Sequence, residues 1–442
     1  MSSRGSASDR DETEGGTRGE DAPVEGEDLM ERVLGRENLR RALRQVRRNR
    51  GAPGIDGMTV DGLVAHLKTH WSAIRASLVD GTYAPQPVRR VEIPKAGGGT
   101  RNLGVPVVLD RFVEHALLQV LQAEWDPTFS EGSFGFRPGH SAHQAVLRAQ
   151  TYIRKGYAWV VDIDLEKFFD RVNHDVLLSR VRARVTDRRV VALIHRFLKA
   201  GVFTLEGVRE PTVEGTPQGG PLSPLLANLL LDKLDKELER RGHRFVRYAD
   251  DSNMYVRSRR AAERVMASVT RFLERRLKLK VNETKSAVDR PWNRKFLGFT
   301  FTNCRSIRRK VSEKSLVAFK AKVREVTGRT RGRTMRQVVA ELRTFILGWS
   351  GYFGFAEVTS PLRDLDKWIR RRLRSYHWKQ WGRRGYRELR KRGVSLYLAW
   401  NTSKSAHGPW RLSQSPALTI ALPARYFTGL GLPTLVEGQL DH

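Results

Sequence analysis

The sequence is short of sulfur, short of acid and without a long apolar run. Its single cysteine, Cys304, excludes an intrachain disulfide and any zinc site built on cysteine pairs. No apolar stretch approaches the roughly 20 residues of a membrane-spanning helix, and the first residues are acidic and polar with no apolar signal core. A cytoplasmic protein with no membrane contact is therefore expected. Acid is scarce: 48 Asp and Glu stand against 80 Lys and Arg, a net charge of +32. An excess of that size favours a polyanionic partner, most simply nucleic acid, because a merely solvated surface would leave the chain repelling itself. The 442 residues, 40 % hydrophobic, are enough for two or three domains, and no internal repeat is apparent.

Residues 1–28 are rich in Gly, Ser, Asp and Glu and read as a disordered acidic tail. Apolar spacing then predicts helices over Leu29 to Arg50, Val60 to Ser77 and onward from Pro106. Ser141 caps another, ending near Gly156. A long helix follows Pro224, and others span Ala261 to Lys278, Ser315 to Val326, Thr334 to Leu347 and Asp364 to Trp381. Strands are expected at Ala158 to Asp164, Arg244 to Tyr248, Asn253 to Arg257 and Phe296 to Phe301. Gly382 to His442 is basic and weakly patterned.

The stretch with the most chemistry is Tyr248-Ala249-Asp250-Asp251, between two strands. Two aspartates at a hairpin tip are ordinary turn residues. They are also two carboxylates that repel until a divalent cation neutralises them, and hard cations such as Mg²⁺ take oxygen ligands of this kind. A two-metal site needs a further carboxylate. The apolar run Ala158-Trp159-Val160-Val161-Asp162-Ile163-Asp164 ends in acid, and a carboxylate at the end of a buried strand is costly unless paired or metal-bound. Asp162 and Asp164 share a face, and Asp164, at the strand end, is the candidate.

Three other stretches fit the same chemistry. Val88 to Gly104 reads as a hairpin with Arg89, Lys95 and Arg101 on its two arms, able to converge on a triphosphate. The Thr216-Pro217-Gln218-Gly219-Gly220 turn presents Gln218 and flat backbone suited to a base or sugar. In the Asp364 to Trp381 helix, Arg370, Arg371 and Arg374 are placed among exposed positions and interleave with Tyr376, Trp378 and Trp381. That combination suits looped or single-stranded RNA, although an amphipathic helix with a solvated basic face carries the same pattern.

Together these stretches resemble a reverse transcriptase, and specifically a bacterial group II intron-encoded reverse transcriptase/maturase. The resemblance rests on Ile93-Pro94-Lys95 with Arg101-Asn102-Leu103-Gly104-Val105-Pro106, on Ser133-Phe134-Gly135-Phe136-Arg137-Pro138, and on Asp164 through Phe169-Asp170. It rests further on Pro217-Gln218-Gly219-Gly220, Tyr248-Ala249-Asp250-Asp251, Lys295-Phe296-Leu297-Gly298-Phe299, the Gly54-Ile55-Asp56-Gly57 loop and Gly348-Trp349…Tyr352-Phe353. It covers about Leu29 to Leu435.

The resemblance implies an α/β (α+β) right-hand polymerase: fingers and an antiparallel-sheet palm over 29–311, a helical thumb and maturase region over 312–381, and a basic DNA-binding end over 382–442. Gly408-Pro409-Trp410-Arg411-Leu412-Ser413 looks like the short DNA-binding end of the class without an endonuclease. Carried over by position, Asp164, Asp250 and Asp251 would hold two Mg²⁺, with Mn²⁺ able to substitute. Phe169 would exclude a 2′-hydroxyl, Lys95, Arg101 and Arg89 would hold the triphosphate, Gln218 would touch nucleotide or template, and Lys285 would assist near the phosphates. Asn102 stands where Pro is commoner. The implied partners are group II intron RNA, an RNA template with a DNA or RNA primer, dNTPs and target DNA, in a bacterial cytoplasmic ribonucleoprotein, with a homodimer left open. Two alternatives stand beside this: a non-catalytic RNA-folding splicing factor, which would have decayed carboxylates, and a related antiviral-defence reverse transcriptase, which would need no maturase segment.

Overall fold

Gly35, held extended (φ −58°, ψ 135°), splits the first expected helix in two: α1 is Leu29–Val33 and α2 is Arg36–Asn49. The computed structural model describes residues 29–94, 100–204 and 208–436, so the expected acidic tail lies outside the described residues. After α3 (Leu63–Val79) come β1 (Val88–Pro94) and β2 (Thr100–Val105), paired antiparallel with Arg89 opposite Val105 and Pro94 opposite Thr100. Helix α4 is Val108–Trp125. Ser141 closes a capping box with Gln144 at the start of α5 (Ala142–Arg154), the reciprocal arrangement that satisfies two orphan amides.

Strand β3 (Trp159–Ile163) leads to a segment that the sequence pattern left unread. It holds α6 (His174–Arg182), α7 (Arg188–Lys199), β4 (Val202–Phe203) and β5 (Arg209–Glu210). β4 joins β1 in parallel, giving one sheet in the order β2-β1-β4-β5. Helix α8 (Ser223–Arg240) precedes the hairpin of β6 (Arg244–Tyr248) and β7 (Asp251–Val256), and α9 (Arg259–Phe272) and β8 (Ala287–Asp289) follow. β6, β7, β3 and β8 form an antiparallel sheet in that order. A ribbon, β9 (Phe299–Phe301) with β10 (Arg309–Val311), leads to α10 (Glu313–Val326), α11 (Met335–Phe353) and α12 (Ser360–Trp381). The expected break at Gly348 does not occur; α11 runs through it.

The basic end is ordered into α13 (Gly385–Lys391), α14 (Leu396–Lys404), α15 (Pro409–Leu412), α16 (Pro416–Ala421) and α17 (Ala424–Gly429). Each is short, which is why periodicity showed little there.

The β6-β7-β3-β8 sheet is buried on both faces. Val161, Ile163, Phe245, Met254 and Val256 point into a core shared with α1 to α4 and α6 to α9. Val160, Val246 and Tyr255, the alternate positions, point into a second core built by α5, α10 to α12 and the basic end. Period-two alternation thus serves two cores at once. No helix among the described residues is long and apolar enough to cross a membrane.

Candidate active site

The hairpin tip is tight. Tyr248 pairs with Asp251, so Ala249 and Asp250 make the turn, and Ala249 takes a positive φ of 57°. Two-residue hairpin turns need such a φ, and an alanine adopts it only when neighbours impose it. They do. Gly135 lies so close to the Ala249 amide that a β-carbon on it would overlap the backbone. Arg247 Nη1 donates to the Ala249 carbonyl (2.9 Å).

Arg247 organises this corner. Its side chain has no solvent exposure, and every N–H of the guanidinium finds an acceptor. Nε and Nη2 bind Asp235 (2.8 and 2.5 Å), Nη1 also binds Asn228 Oδ1 (2.9 Å), and Nη2 also binds Ser133 Oγ (2.7 Å). Asn228 in turn donates to the Gly135 carbonyl (2.8 Å). The sequence reading missed Arg247. The signal was a charged residue inside Phe245-Val246-Arg247-Tyr248, an otherwise apolar strand.

β3 delivers the third carboxylate. It pairs with β7 as Asp162 opposite Asn253 and Ile163 opposite Ser252; one step further in that register, Asp164 comes beside Asp251. The Asp164 amide donates to Ser286 Oγ (3.0 Å), and Lys285 Nζ stands 3.7 Å from its carboxylate. Asp162 is bound by Arg294, whose Nε and Nη2 reach it at 2.9 and 2.6 Å, and by the Asn253 amide, which donates to its other oxygen (3.0 Å) with the nitrogen turned toward the acid. Arg294 also donates to the Lys285 carbonyl (2.6 Å). Burial first, then Asp162 and Asp250, pushes the Asp251 carboxyl up to about 7. An acid under that pressure favours a cation in place of a proton. No three acidic, imidazole or thiol groups among the described residues already converge on one point. The all-oxygen donor set nevertheless fits a hard divalent cation.

Asp164, Asp250, Phe169, Gln218, Lys285, Thr100 and Asn102 line a common cleft of about 670 Å³. Phe169 sits on a single 3₁₀ turn, Phe168–Asp170, whose carbonyl at Phe169 accepts from Thr216 N (2.6 Å). Gln218 Nε2 donates to Asp170 (2.8 Å), and its carbonyl accepts from Gly104 N (2.7 Å), stitching the Pro-Gln-Gly turn to β2. Behind it, buried Glu114 accepts from Leu222 N (3.2 Å), and burial pushes that carboxyl up to about 8.

Two sets of expected residues are placed otherwise. Strand alternation puts Arg90, not Arg89, on the face that lines the adjoining pocket with Phe169 and Gln218; Arg90 is paired to Glu210 (2.8 Å). Lys95 lies outside the described residues, as does the side chain of Arg101. On α12, Tyr376 (2 % exposed) and Trp381 (7 %) are core, not stacking platforms. The Tyr376 hydroxyl donates to the Arg333 carbonyl (2.6 Å), and Trp378 packs on Gly385. Arg374 Nε donates to the Leu422 carbonyl (3.0 Å), and Arg371 lies 3.9 Å over the Trp410 ring. Arg370 is half-buried. The α12 face expected to be exposed is thus covered by the basic end, which folds back on it.

An antiparallel sheet with carboxylates at one hairpin tip and one strand end, opening on a nucleotide-sized cleft, defines the palm of a polymerase. The family "Reverse transcriptase (RNA-dependent DNA polymerase)" matches residues 93–301, and "Group II intron, maturase-specific domain" matches residues 316–394. The chain belongs to the reverse transcriptases that carry a group II intron maturase domain. Protein YkfC of Escherichia coli (strain K12) is 32 % identical over 323 residues, 64 % of this chain and 83 % of its own length. The group II intron-encoded protein LtrA of Lactococcus lactis subsp. cremoris is 39 % identical over 191 residues, 42 % of this chain but 31 % of its own. A solved partial Cas6-RT-Cas1–Cas2 complex covers 56 % of this chain and 42 % of its own at 24 % identity and a TM-score of 0.36.

Proposed function

We propose that the chain copies intron RNA into DNA at the Asp164–Asp250–Asp251 cleft and, through its maturase region, assists splicing and mobility of a group II intron. The observation that carries this is the β3–β7 register, which brings Asp164 beside the Asp-Asp hairpin at the mouth of the cleft that Phe169 and Gln218 line. Bound there, two Mg²⁺ ions, or Mn²⁺ in their place, would activate the primer hydroxyl and neutralise the leaving pyrophosphate. Asp164, Asp250 and Asp251 would hold them. Phe169 closes the side of the cleft that a ribose 2′-hydroxyl would need. Gln218 and the flat Gly219-Gly220 backbone support the base or sugar, and Lys285, beside Asp164, meets the phosphates. The chain mainly positions groups and cancels charge. Intron RNA, a primed RNA template, dNTPs and target DNA are its partners in a bacterial cytoplasmic ribonucleoprotein. The maturase match favours this reading over a defence enzyme, and the retained carboxylates favour it over a non-catalytic chaperone.

The test is a paired assay on one preparation of Asp250→Asn: primer extension with Mg²⁺, and splicing of the cognate intron at low Mg²⁺. Extension should be abolished and splicing nearly intact. Continued cDNA synthesis would show that the metal assignment is wrong. Loss of both activities in a folded protein would show that the two functions share one site.

A further inference from the structure

With Tyr376 and Trp381 in the core, the exposed aromatics of the C-terminal region lie elsewhere. On α14, Leu396 (63 % exposed), Tyr397 (72 %) and Trp400 (52 %) face solvent, while Ala399 and Thr402 pack inward on α13 and α16. Positions 396, 397, 400 and 404 fall on one side of a 3.6-residue helix. Lys404 Nζ lies 4.9 Å over the Trp400 ring, and the Tyr386 ring meets Trp400 edge-on at 6.0 Å and 90°. Trp400 is thereby fixed in orientation with a cation beside it. Large apolar side chains this exposed, in one stripe, mark a contact surface more often than chance does.

The charge around the stripe says what kind. From Gly382 to Val436 the sequence holds one acid, Glu388, against nine Lys and Arg, and Glu388 is bound to Arg392. An apolar protein partner would find no acids to pair with and much cation to desolvate. A nucleic acid supplies both the phosphates and the flat bases. The maturase-specific match ends at residue 394, two residues before α14 begins, and α13 and α14 pack together. We propose that the Tyr397–Trp400 stripe is a stacking platform for unpaired bases of an RNA, with Lys404 on the adjoining phosphate. This rests on the reading above that intron RNA is a partner of the chain, and it gives RNA a contact in the stretch after the maturase match that the sequence reading assigned to DNA.

The experiment measures anisotropy of labelled poly-adenosine RNA, poly-deoxyadenosine of equal length, and duplex RNA, with the full chain. Tyr397→Ala and Trp400→Ala should each weaken poly-adenosine binding roughly tenfold, since a stacked base is lost. The salt dependence should not change, because no charge is removed. Lys404→Gln should instead reduce the slope of log affinity against log salt by about 0.7. Trp400→Phe should keep most of the affinity, and duplex RNA should be indifferent to the three aromatic variants. Circular dichroism, unchanged in each variant, separates this from misfolding; the side chains are more than half exposed. Each of these results in the variants would overturn the proposal: unaltered poly-adenosine affinity in both alanine variants, a loss confined to the DNA strand, or a changed oligomeric state of the RNA-free protein, which would make the stripe a contact between copies. A wild-type chain that makes cDNA yet ignores poly-adenosine would sink the platform alone. One that makes no cDNA would sink the enzymatic reading instead.

Discussion

The two cores treat buried arginine in opposite ways. In the palm, Arg247 is cancelled by a carboxylate, Asp235, with neither side chain exposed. Beside α12, Arg374 and Arg372 are given neutral oxygens instead: the Leu422 carbonyl for one, Thr327 Oγ1 (2.6 Å) for the other. Burial lowers the pKa of both, helped by neighbouring arginines. Arginine does not shed its proton in proteins, so the charge stays. The palm therefore sets its buried arginine against a carboxylate and gathers Asp162, Asp164, Asp250 and Asp251 around one hairpin tip. The C-terminal region from Gly382 to Val436 carries nine Lys and Arg against one acid, Glu388. One region is arranged for cations, the other for a polyanion.

The sharpest way to break this contrast is to remove Arg247. Arg247→Met leaves Asp235 buried and unpaired, which typically costs about 3–5 kcal/mol. It also frees Ala249 from the conformation that positions Asp250 and Asp251. Denaturant unfolding should show that loss, and primer extension should vanish. A variant that unfolds within about 1 kcal/mol of wild type would deprive Arg247 of its role.

Next in size is a change of selectivity without loss of fold. Phe169→Ala should admit ribonucleotides while retaining some deoxynucleotide incorporation. Unchanged sugar discrimination in single-nucleotide extension would remove Phe169 from the gate.

A third test concerns the hairpin acids. The folded Asp251 carboxyl sits near 7, against 3.8 for an ordinary aspartate. The folded state therefore holds the proton more tightly than the unfolded chain. Stability of the metal-free protein should fall as pH rises from about 4 through 7. Mg²⁺ should then raise the melting temperature more at pH 8 than at pH 6. Asp251→Asn should erase that difference, and an equal Mg²⁺ shift at both pH values in the wild type would contradict the account.

The smallest effect belongs to the other core. Tyr376→Phe deletes one hydrogen bond, to the Arg333 carbonyl, and should cost about 1 kcal/mol. Primer extension on a preformed template should survive. An RNA-affinity loss with no stability change would return Tyr376 to the surface role its sequence context suggested.

These contrasts explain which parts were legible in the sequence. The Asp-Asp hairpin, the acid-ended strand and the Ser141 cap are local, so spacing exposed them. Phe169 was placed by resemblance and Gln218 by its turn, and both line the cleft with the aspartates. Arg247 and Asp235 are 12 residues apart on different elements, and nothing local couples them. Arg294, which pairs with Asp162, is 132 residues from it. Arg89 and Arg90 are neighbours on one arm of the hairpin, and a single step along a strand reverses the face. The α12 face was misread because periodicity shows which side is amphipathic, not whether later chain will cover it. Here short helices of the basic end do, α13 and α15 among them, and none is long enough to announce itself.

The doubly buried sheet has a practical consequence for anyone who would trade parts of this chain. A polymerase half cut after Val311 would keep α5 against Val160, Val246 and Tyr255, but would strip Phe299 of the Tyr352, Phe353 and Phe355 rings packed on it. A maturase half begun at Ser312 would lack the floor it rests on. The palm and the maturase region share this core with no seam between them, so grafts and fusions should be joined at the ends of the chain and not at its middle.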